Sequence, residues 1–370
     1  MDKEKAILIG VNTDNETLDH FQESLKELKD LAITAGADVV DTICIDGKGI
    51  NPKFFIGKGK VGEIKSLYSS KIRLVIFNNE LTPTQIRNLE KELNLKVITR
   101  TELIMDIFAI HAKSKTARLQ VELAQLSYEL PRITGKGTML SRLGGGIGTR
   151  GPGEQKLEID RRLIKRRIYL IKKKLKEIEI GKAEQRKSRS SHEFKVAIVG
   201  YTNSGKSSLL RSLTKADVVI EDRLFATLDT TTRRLWLGFI NNLPVNIVIT
   251  DTVGFIRDLP HGLIESFKST LQDTLDADLL IHLIDITSLN FLEKKEIVEK
   301  TLFEIGATNI PILNCFNKID ILSEKELLNY RLLYPNYIFI SAVQKRNMEV
   351  LKNKIKNYYL KHQLAKIHKE

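Results

Sequence analysis

Apolar runs of strand length alternate with stretches of helical spacing along this chain. Residues 6–11 and 74–77 are nearly unbroken apolar runs, residues 37–45 are a strand-like run with Asp38, Asp41 and Thr42 among apolar residues, and residues 16–31 and the segment near 84–93 carry the helical pattern between and after them. Unbroken runs of that length suit strands covered on both faces, and their alternation with helices predicts a mostly parallel α/β domain over residues 1–100. Beyond it the period changes. Leu119, Leu123, Leu126 and Leu130 step by four, three and four, and Ile164, Ile168, Ile171, Leu175 and Ile178 keep the same alternation. Each set marks one face of a long helix. Two long helices joined by one long loop predict an antiparallel hairpin within residues 101–181, with the basic residues of the second helix outermost; two amphipathic helices packed separately on neighbouring domains are the alternative. Residues 182–191, charged and serine-containing, read as a linker. A second α/β pattern over residues 192–360 has strands near Val196, Leu235, Val245, Leu279, Ile312 and Ile338, and residues 361–370 form a basic tail.

The loop between the two helical patterns, residues 131–156, holds eight glycines and the basic residues Arg132, Lys136, Arg142, Arg150 and Lys156 against a single acid, Glu154. A long glycine-rich loop in a compact domain is either disordered or functional. Small, cationic residues at the tip of a stiff hairpin suit a narrow polyanionic cavity, where backbone N–H groups and arginines meet phosphates, so RNA is the favoured contact. The pattern G-x-G-x-x-G occurs twice. The copy from Gly146 to Gly151 follows no apolar strand, which removes a dinucleotide reading there. The copy from Gly57 to Gly62 precedes a helical stretch, with Glu80 placed for a ribose contact, but the segment before it contains Pro52. A dinucleotide fold and an auxiliary nucleotide or RNA contact both stay open at that position.

The segment with the most definite chemistry is Gly200-Tyr201-Thr202-Asn203-Ser204-Gly205-Lys206-Ser207, followed by Ser208 and an apolar helical run and preceded by the apolar residues 196–199. Strand, tight loop and helix in that order let backbone N–H groups converge on phosphates, with Lys206 neutralising the outer oxygens and Ser207 offering its hydroxyl to Mg²⁺. Asp251-Thr252-Val253-Gly254 ends another apolar run. There Asp251 suits the Mg²⁺ shell, and the Gly254 N–H suits the γ-phosphate. Asn317-Lys318-Ile319-Asp320 also ends an apolar run. A carboxylate at Asp320 can accept from both N1–H and the 2-amino group of guanine, a pair that adenine lacks, so the base is guanine.

These segments resemble the translation-factor-related GTPases and, more narrowly, the HflX family of ribosome-associated GTPases. The narrower likeness rests on Phe225-Ala226-Thr227-Leu228-Asp229, on residues 251–261 and on the glycine-rich residues 144–154. It extends over nearly the whole chain. The resemblance implies that Thr227 closes on Mg²⁺ with Ser207 and Asp251, that Ser341-Ala342 contacts guanine O6, and that GTP is hydrolysed to GDP with Lys206, Thr227 and Gly254 at the reacting phosphate. It also implies binding to the large ribosomal subunit and its RNA, splitting or rescue of stalled ribosomes, a monomer, and a cytoplasmic location. A signalling switch with a protein effector, or an RNA-stimulated NTPase with a second nucleotide site in the N-terminal domain, are the rival readings. At Thr230 the chain departs from the family, which usually carries proline. Phe255 stands where Ras-like enzymes place a water-orienting glutamine, so slow hydrolysis is expected without a partner, whether or not the ring also packs in the core.

Composition adds limits. At 370 residues with 42% hydrophobic content, the chain is long enough for two or three domains with real cores. The net charge of +13 suits a polyanionic partner as well as ordinary lysine-rich solubility, and the basic residues crowd 161–187 and 352–369. No signal-like stretch follows Met1 and no apolar segment reaches spanning length, so a soluble, non-secreted protein is expected. Cys44 and Cys315, each in an apolar run, are expected to be buried thiols in a reducing compartment.

Overall fold

A computed structural model describes residues 3–13, 17–47, 50–68, 72–133, 152–188, 193–214, 224–225, 230–240, 242–258 and 272–367, with backbone alone for 152–157, 182–188, 272 and 366–367. The chain divides into two compact units, Met1–Ile110 with Arg118–Leu175, and His111–Ala117 with Lys176–Glu370.

In the first unit, β1 (Lys5–Asn12), β2 (Asp38–Asp46), β3 (Leu74–Phe77) and β4 (Lys96–Thr99) form a parallel sheet in the order β2-β1-β3-β4. Six consecutive residues of β1 are buried, as an inner strand covered on both faces requires. The helices between the strands are α1 (Leu18–Thr34), α2 (Lys58–Tyr68) and α3 (Pro83–Leu93). At the start of α3, the Gln85 N–H donates to Thr82 Oγ1 at 3.3 Å and the Thr82 N–H donates to Gln85 Oε1 at 2.9 Å, with Pro83 in the first turn. That reciprocal cap fixes where the helix begins, and Asn94 in the left-handed region ends it. The sequence pattern does not anticipate β4 or the following α4 (Arg100–His111), which buries Leu103, Ile104, Met105, Ile107 and Phe108. A helix covered on most sides has no polar face to set its period.

Next come α5 (Lys115–Glu129) and α6 (Pro152–Ser188). On α6, Ile171 is buried and Ile164, Ile168, Leu175 and Ile178 are half-buried between exposed neighbours, which is the face the spacing predicts. Arg167 of α6 donates through Nε and Nη2 to the two carboxylate oxygens of Glu122 on α5, at 2.6 and 2.9 Å. Three expectations change. The helix runs through residues 182–188, most of the expected linker, because Lys, Ala, Glu, Gln and Arg favour helix and Gly181 alone opposes it by about 1 kcal/mol. Residues 361–367 continue the last helix instead of forming a tail. Cys44 is exposed and only Cys315 is buried, because Cys44 lies on β2, an edge strand, with an outward-facing side chain. Most of the glycine-rich loop, residues 134–151, lies outside the described residues.

The second unit is built on β5 (Lys195–Val199), β6 (Thr231–Ile240), β7 (Leu243–Asp251), β8 (Leu279–Asp285), β9 (Ile312–Asn317) and β10 (Ile338–Phe339), ordered β10-β9-β8-β5-β7-β6. All pair in parallel except β6, an edge strand antiparallel to β7. Its helices are α7 (Lys206–Thr214), the short α8 (Gln272–Leu275), α9 (Phe291–Ile305), α10 (Glu324–Leu333) and α11 (Met348–Ile367). Val196, Ile198, Leu235, Ile247, Ile249 and Ile281 pack with Leu209 and Leu210 of α7 and Leu351 and Ile355 of α11 in one core. That core holds β5 and α7 rigidly on either side of the loop that joins them. Among the described residues, no helix is long and apolar enough to cross a membrane.

Candidate nucleotide site

The loop between β5 and α7 needs its glycines for different reasons. A Cβ on Gly200 would lie 2.3 Å from the Leu283 carbonyl oxygen, a backbone atom that cannot give way. Gly205 has φ +91°, and a Cβ there would lie 2.4 Å from Asn317 Nδ2. The loop then delivers Lys206 into the interior, where Nζ donates to the Tyr201 carbonyl at 2.7 Å and the Gly200 carbonyl at 3.2 Å. Burial lowers the Lys206 pKa to about 8, against the opposing pull of Asp251. The amide groups at the start of α7 add the positive end of a helix dipole, and the whole arrangement suits an anion.

Ser207 Oγ donates to Asp251 Oδ2 at 2.6 Å. The other oxygen, Oδ1, is buried with no hydrogen-bond partner. Burial raises the Asp251 pKa, while Lys206 and Ser207 pull it down. An orphaned carboxylate oxygen beside a serine hydroxyl is a set of hard oxygen donors, and these residues fit Mg²⁺. Thr252 Oγ1 donates to the Ile198 carbonyl at 2.7 Å and pins this strand end to β5. At Gly254 a Cβ would lie 2.9 Å from Lys206 Nζ and 3.0 Å from Thr202 Cα, so the backbone passes against the loop with no room for a side chain. Phe255 is 2% exposed; its N–H donates to the Gly200 carbonyl at 3.1 Å, and its carbonyl accepts from the Thr202 N–H at 2.8 Å. The ring packs in the interior, where it cannot orient water.

Across the loop, Asn317 Nδ2 donates to the Ser204 carbonyl at 2.9 Å, and Asn317 Oδ1 accepts from the Ala342 N–H at 3.0 Å. One buried side chain thus ties the phosphate loop to the Ser341-Ala342 segment. Ser341 Oγ accepts from the Gln344 N–H at 3.0 Å, Lys318 pairs with Asp285 at 2.7 Å, and Asp320 is half-buried just beyond β9. The expected residues Gly200 to Ser208, Asp251 to Gly254, Asn317, Lys318, Asp320, Ser341 and Ala342 therefore belong to one unit, at the carboxyl ends of β5, β7, β9 and β10 or in the segments that follow them. Phe225 is buried with φ +57°, whereas Ala226, Thr227, Leu228 and Asp229 lie outside the described residues.

The sequence gives no sign of a further cluster. Tyr201 Oη accepts from the Arg257 N–H at 2.9 Å, the Arg257 guanidinium pairs with Glu293 at 2.6 Å, and Lys294 sits 5.5 Å over the Tyr201 ring. These residues lie far apart in the chain and follow no spacing rule. In the first unit, residues 51–57 form a turn closed by an Asn51–Phe55 bridge instead of a strand, so the Gly57 to Gly62 pattern lacks its dinucleotide context.

A mostly parallel sheet whose strand β5 runs through a Gly-rich, Lys-Ser-ended loop into a helix, with Asp251 and Asn317 at the carboxyl ends of β7 and β9, defines a P-loop nucleotide-binding domain. Residues 195–318 match a family model described as 50S ribosome-binding GTPase, residues 22–109 one described as GTP-binding GTPase N-terminal, and residues 111–189 one described as GTP-binding GTPase Middle Region. A protein named GTPase HflX from Caldanaerobacter subterraneus is 51% identical over 352 residues, 95% of this chain and 79% of that protein. GTPase HflX from Flavobacterium psychrophilum is 43% identical over 95% of this chain and 89% of that protein, and the Escherichia coli protein of that name is 43% identical over 87% and 75%. Among solved structures, the SsGBP–GDP complex matches with TM-score 0.53 and 30% identity over 97% of this chain and 99% of that one. A GDP complex of a GTP-binding protein from Sulfolobus solfataricus matches with TM-score 0.50 and 30% identity over the same shares. The chain belongs to the HflX family of GTPases.

Proposed function

We propose that this GTPase is Mg²⁺-dependent, binds the large ribosomal subunit, and splits or rescues stalled ribosomes in the cytoplasm as a monomer. The observation that carries the chemistry is the convergence of Lys206, the Ser207–Asp251 pair and the Asn317 staple in one unit. In this reading Gly200 to Ser208 wrap the phosphates, Ser207, Thr227 and Asp251 hold the metal, and Asp320 with Ser341-Ala342 reads guanine. The Mg²⁺, when bound, neutralises charge on the β- and γ-phosphate oxygens. Lys206 leaves the Gly200 and Tyr201 carbonyls for those oxygens, and the Gly254 N–H faces the γ-phosphate that water attacks. With Phe255 buried, water is positioned by backbone or by a partner, which gives a slow basal rate.

The ribosomal part rests on the family description and on charge. Basic residues from Arg161 to Lys174 line exposed positions of α6. We assign α5 and α6 to an antiparallel hairpin whose basic, glycine-rich stretch 131–156, which runs into the first turn of α6 from Pro152 on, reaches ribosomal RNA. The test is co-sedimentation of the purified protein with large subunits in GTP, GDP and a non-hydrolysable analogue, with hydrolysis measured in parallel. Binding that depends on the analogue and hydrolysis accelerated by subunits are expected. No binding in any nucleotide state, with unchanged hydrolysis, refutes the ribosomal role.

A second reading has one observation in its favour. An open cleft of about 390 Å³ at the carboxyl ends of β1 and β2 is lined by Val11, Asp46, Ile56, Gly57 and Lys60. This reading requires NTP turnover that survives Lys206→Ala.

A further inference from the structure

Strand β6 exposes two large aromatic side chains to solvent: Trp236, the only tryptophan in the chain, is 57% exposed and Phe239 is 62% exposed. They are three residues apart, a spacing that puts side chains on opposite faces of a regular strand. The register shows how both reach the same face. Trp236 is opposite Asn246 and Phe239 is opposite Pro244, so β6 advances three residues while β7 advances two. The additional residue is a bulge containing Gly238, whose φ is +89° and around which an added Cβ would meet nothing within 4 Å. Glycine is needed there for the backbone conformation and not for space. Leu235 and Leu237 still point into the core, at 2% and 8% exposure. The bulge therefore re-aims one side chain outward while leaving the packing of the strand intact.

The face so formed carries Arg234, Trp236 and Phe239 along β6, and Asn246 and Pro244 across from the rings on β7. The rings stand 6.1 Å apart at 88°. One cation shares the face: Arg234 is exposed and pairs with Glu193 at 2.9 Å. We propose that the outer face of the β6–β7 hairpin is a stacking platform for unpaired RNA bases. A base stacks on Trp236 or Phe239, the Asn246 amide, opposite Trp236, offers a donor and an acceptor to a base edge, and Arg234, exchanging Glu193 for the nucleic acid, takes a phosphate. The chain's net charge of +13 suits a polyanion, and apolar rings on a strand face are what sequence-tolerant stacking uses. This surface rests on the ribosomal reading above for its source of RNA, and it is separate from the loop at residues 131–156.

Trp236 is its own probe. Intrinsic fluorescence is followed while a short single-stranded oligoribonucleotide of mixed sequence, the same strand annealed to its complement, or a polyglutamate peptide is added to the full chain. Saturable quenching by the single strand, weaker with the duplex and absent with the peptide, is expected. Phe239→Ala should weaken the single-strand affinity at least about fivefold. By anisotropy of a labelled strand, Trp236→Phe should retain binding and Trp236→Ala should lose it to the same degree, with GDP affinity unchanged as the check of folding. No quenching by the single strand, or equal quenching by the duplex, overturns the platform, and quenching by the peptide alone assigns the face to an acidic protein instead. Large-subunit co-sedimentation run in parallel separates the two ideas: binding of subunits without quenching overturns the platform alone, and quenching without subunit binding overturns the ribosomal role alone.

Discussion

Replacing Asn317 with alanine should loosen the nucleotide site more than removal of any single surface contact in this domain. The side chain is 3% exposed and bridges two loops, donating to Ser204 and accepting from Ala342. Alanine removes both hydrogen bonds and strands a buried carbonyl and a buried N–H, at about 1–3 kcal/mol each, so a loss of about 2–6 kcal/mol is expected. Gly205 provides a control, because a Cβ there would lie 2.4 Å from Asn317 Nδ2. Gly205→Ala alone suffers that clash and a left-handed backbone, the latter costing about 1–2 kcal/mol. In the Asn317→Ala background only the backbone term remains. The double-mutant cycle should therefore show the two costs summing to more than the double variant loses, by at least about 1 kcal/mol. Urea unfolding followed by Trp236, which lies in the second unit, and titration with a fluorescent GDP give the two readouts. A loss below about 1 kcal/mol for Asn317→Ala, or additive costs with Gly205→Ala, would refute the staple.

Asp320→Asn should weaken GTP binding and improve binding of xanthosine triphosphate, because the amide offers a donor where xanthine has a carbonyl; unchanged GTP affinity by titration counts against the base contact. Gly254→Ala puts a methyl group against Lys206 and the Thr202 backbone, so affinity for a GTP analogue should fall relative to GDP, and an unchanged ratio counts against the γ-phosphate role. His282 is neutral when folded, since burial, then Lys295 and Lys206, lower its pKa to about 3 against an opposing pull from Asn314. The unfolded chain binds this proton below about 6.5, so stability is full above that pH and falls by up to about 1.4 kcal/mol per unit as pH drops toward the folded value. His282→Gln should flatten that slope in unfolding experiments across the acid range.

Legibility differs between the units for physical reasons. The phosphate loop, Asp251 and Asn317 announce themselves because one short segment must do a fixed geometric task. The apolar face of α6 is equally plain, because a helix exposed on its other sides keeps a clean period. α4 breaks that rule by being buried nearly all round, and β4 is four residues long, too short to show a pattern. Cys44 shows the limit of reading burial from hydrophobicity, since an apolar run on an edge strand leaves some side chains in solvent. The Tyr201–Arg257–Glu293 cluster is tertiary, joined only by folding, and no local spacing encodes it.

The exposure of Cys44 has a practical consequence. Burial pushes the Cys315 thiol far up, so a thiol-reactive dye should attach at Cys44 alone. Cys44 belongs to the first compact unit and Trp236 to the second, and the chain has one tryptophan. The natural sequence therefore already carries a donor and an acceptor position for energy transfer, one in each unit. Any movement between the units on exchange of GDP for GTP can be followed in real time without introducing a single mutation.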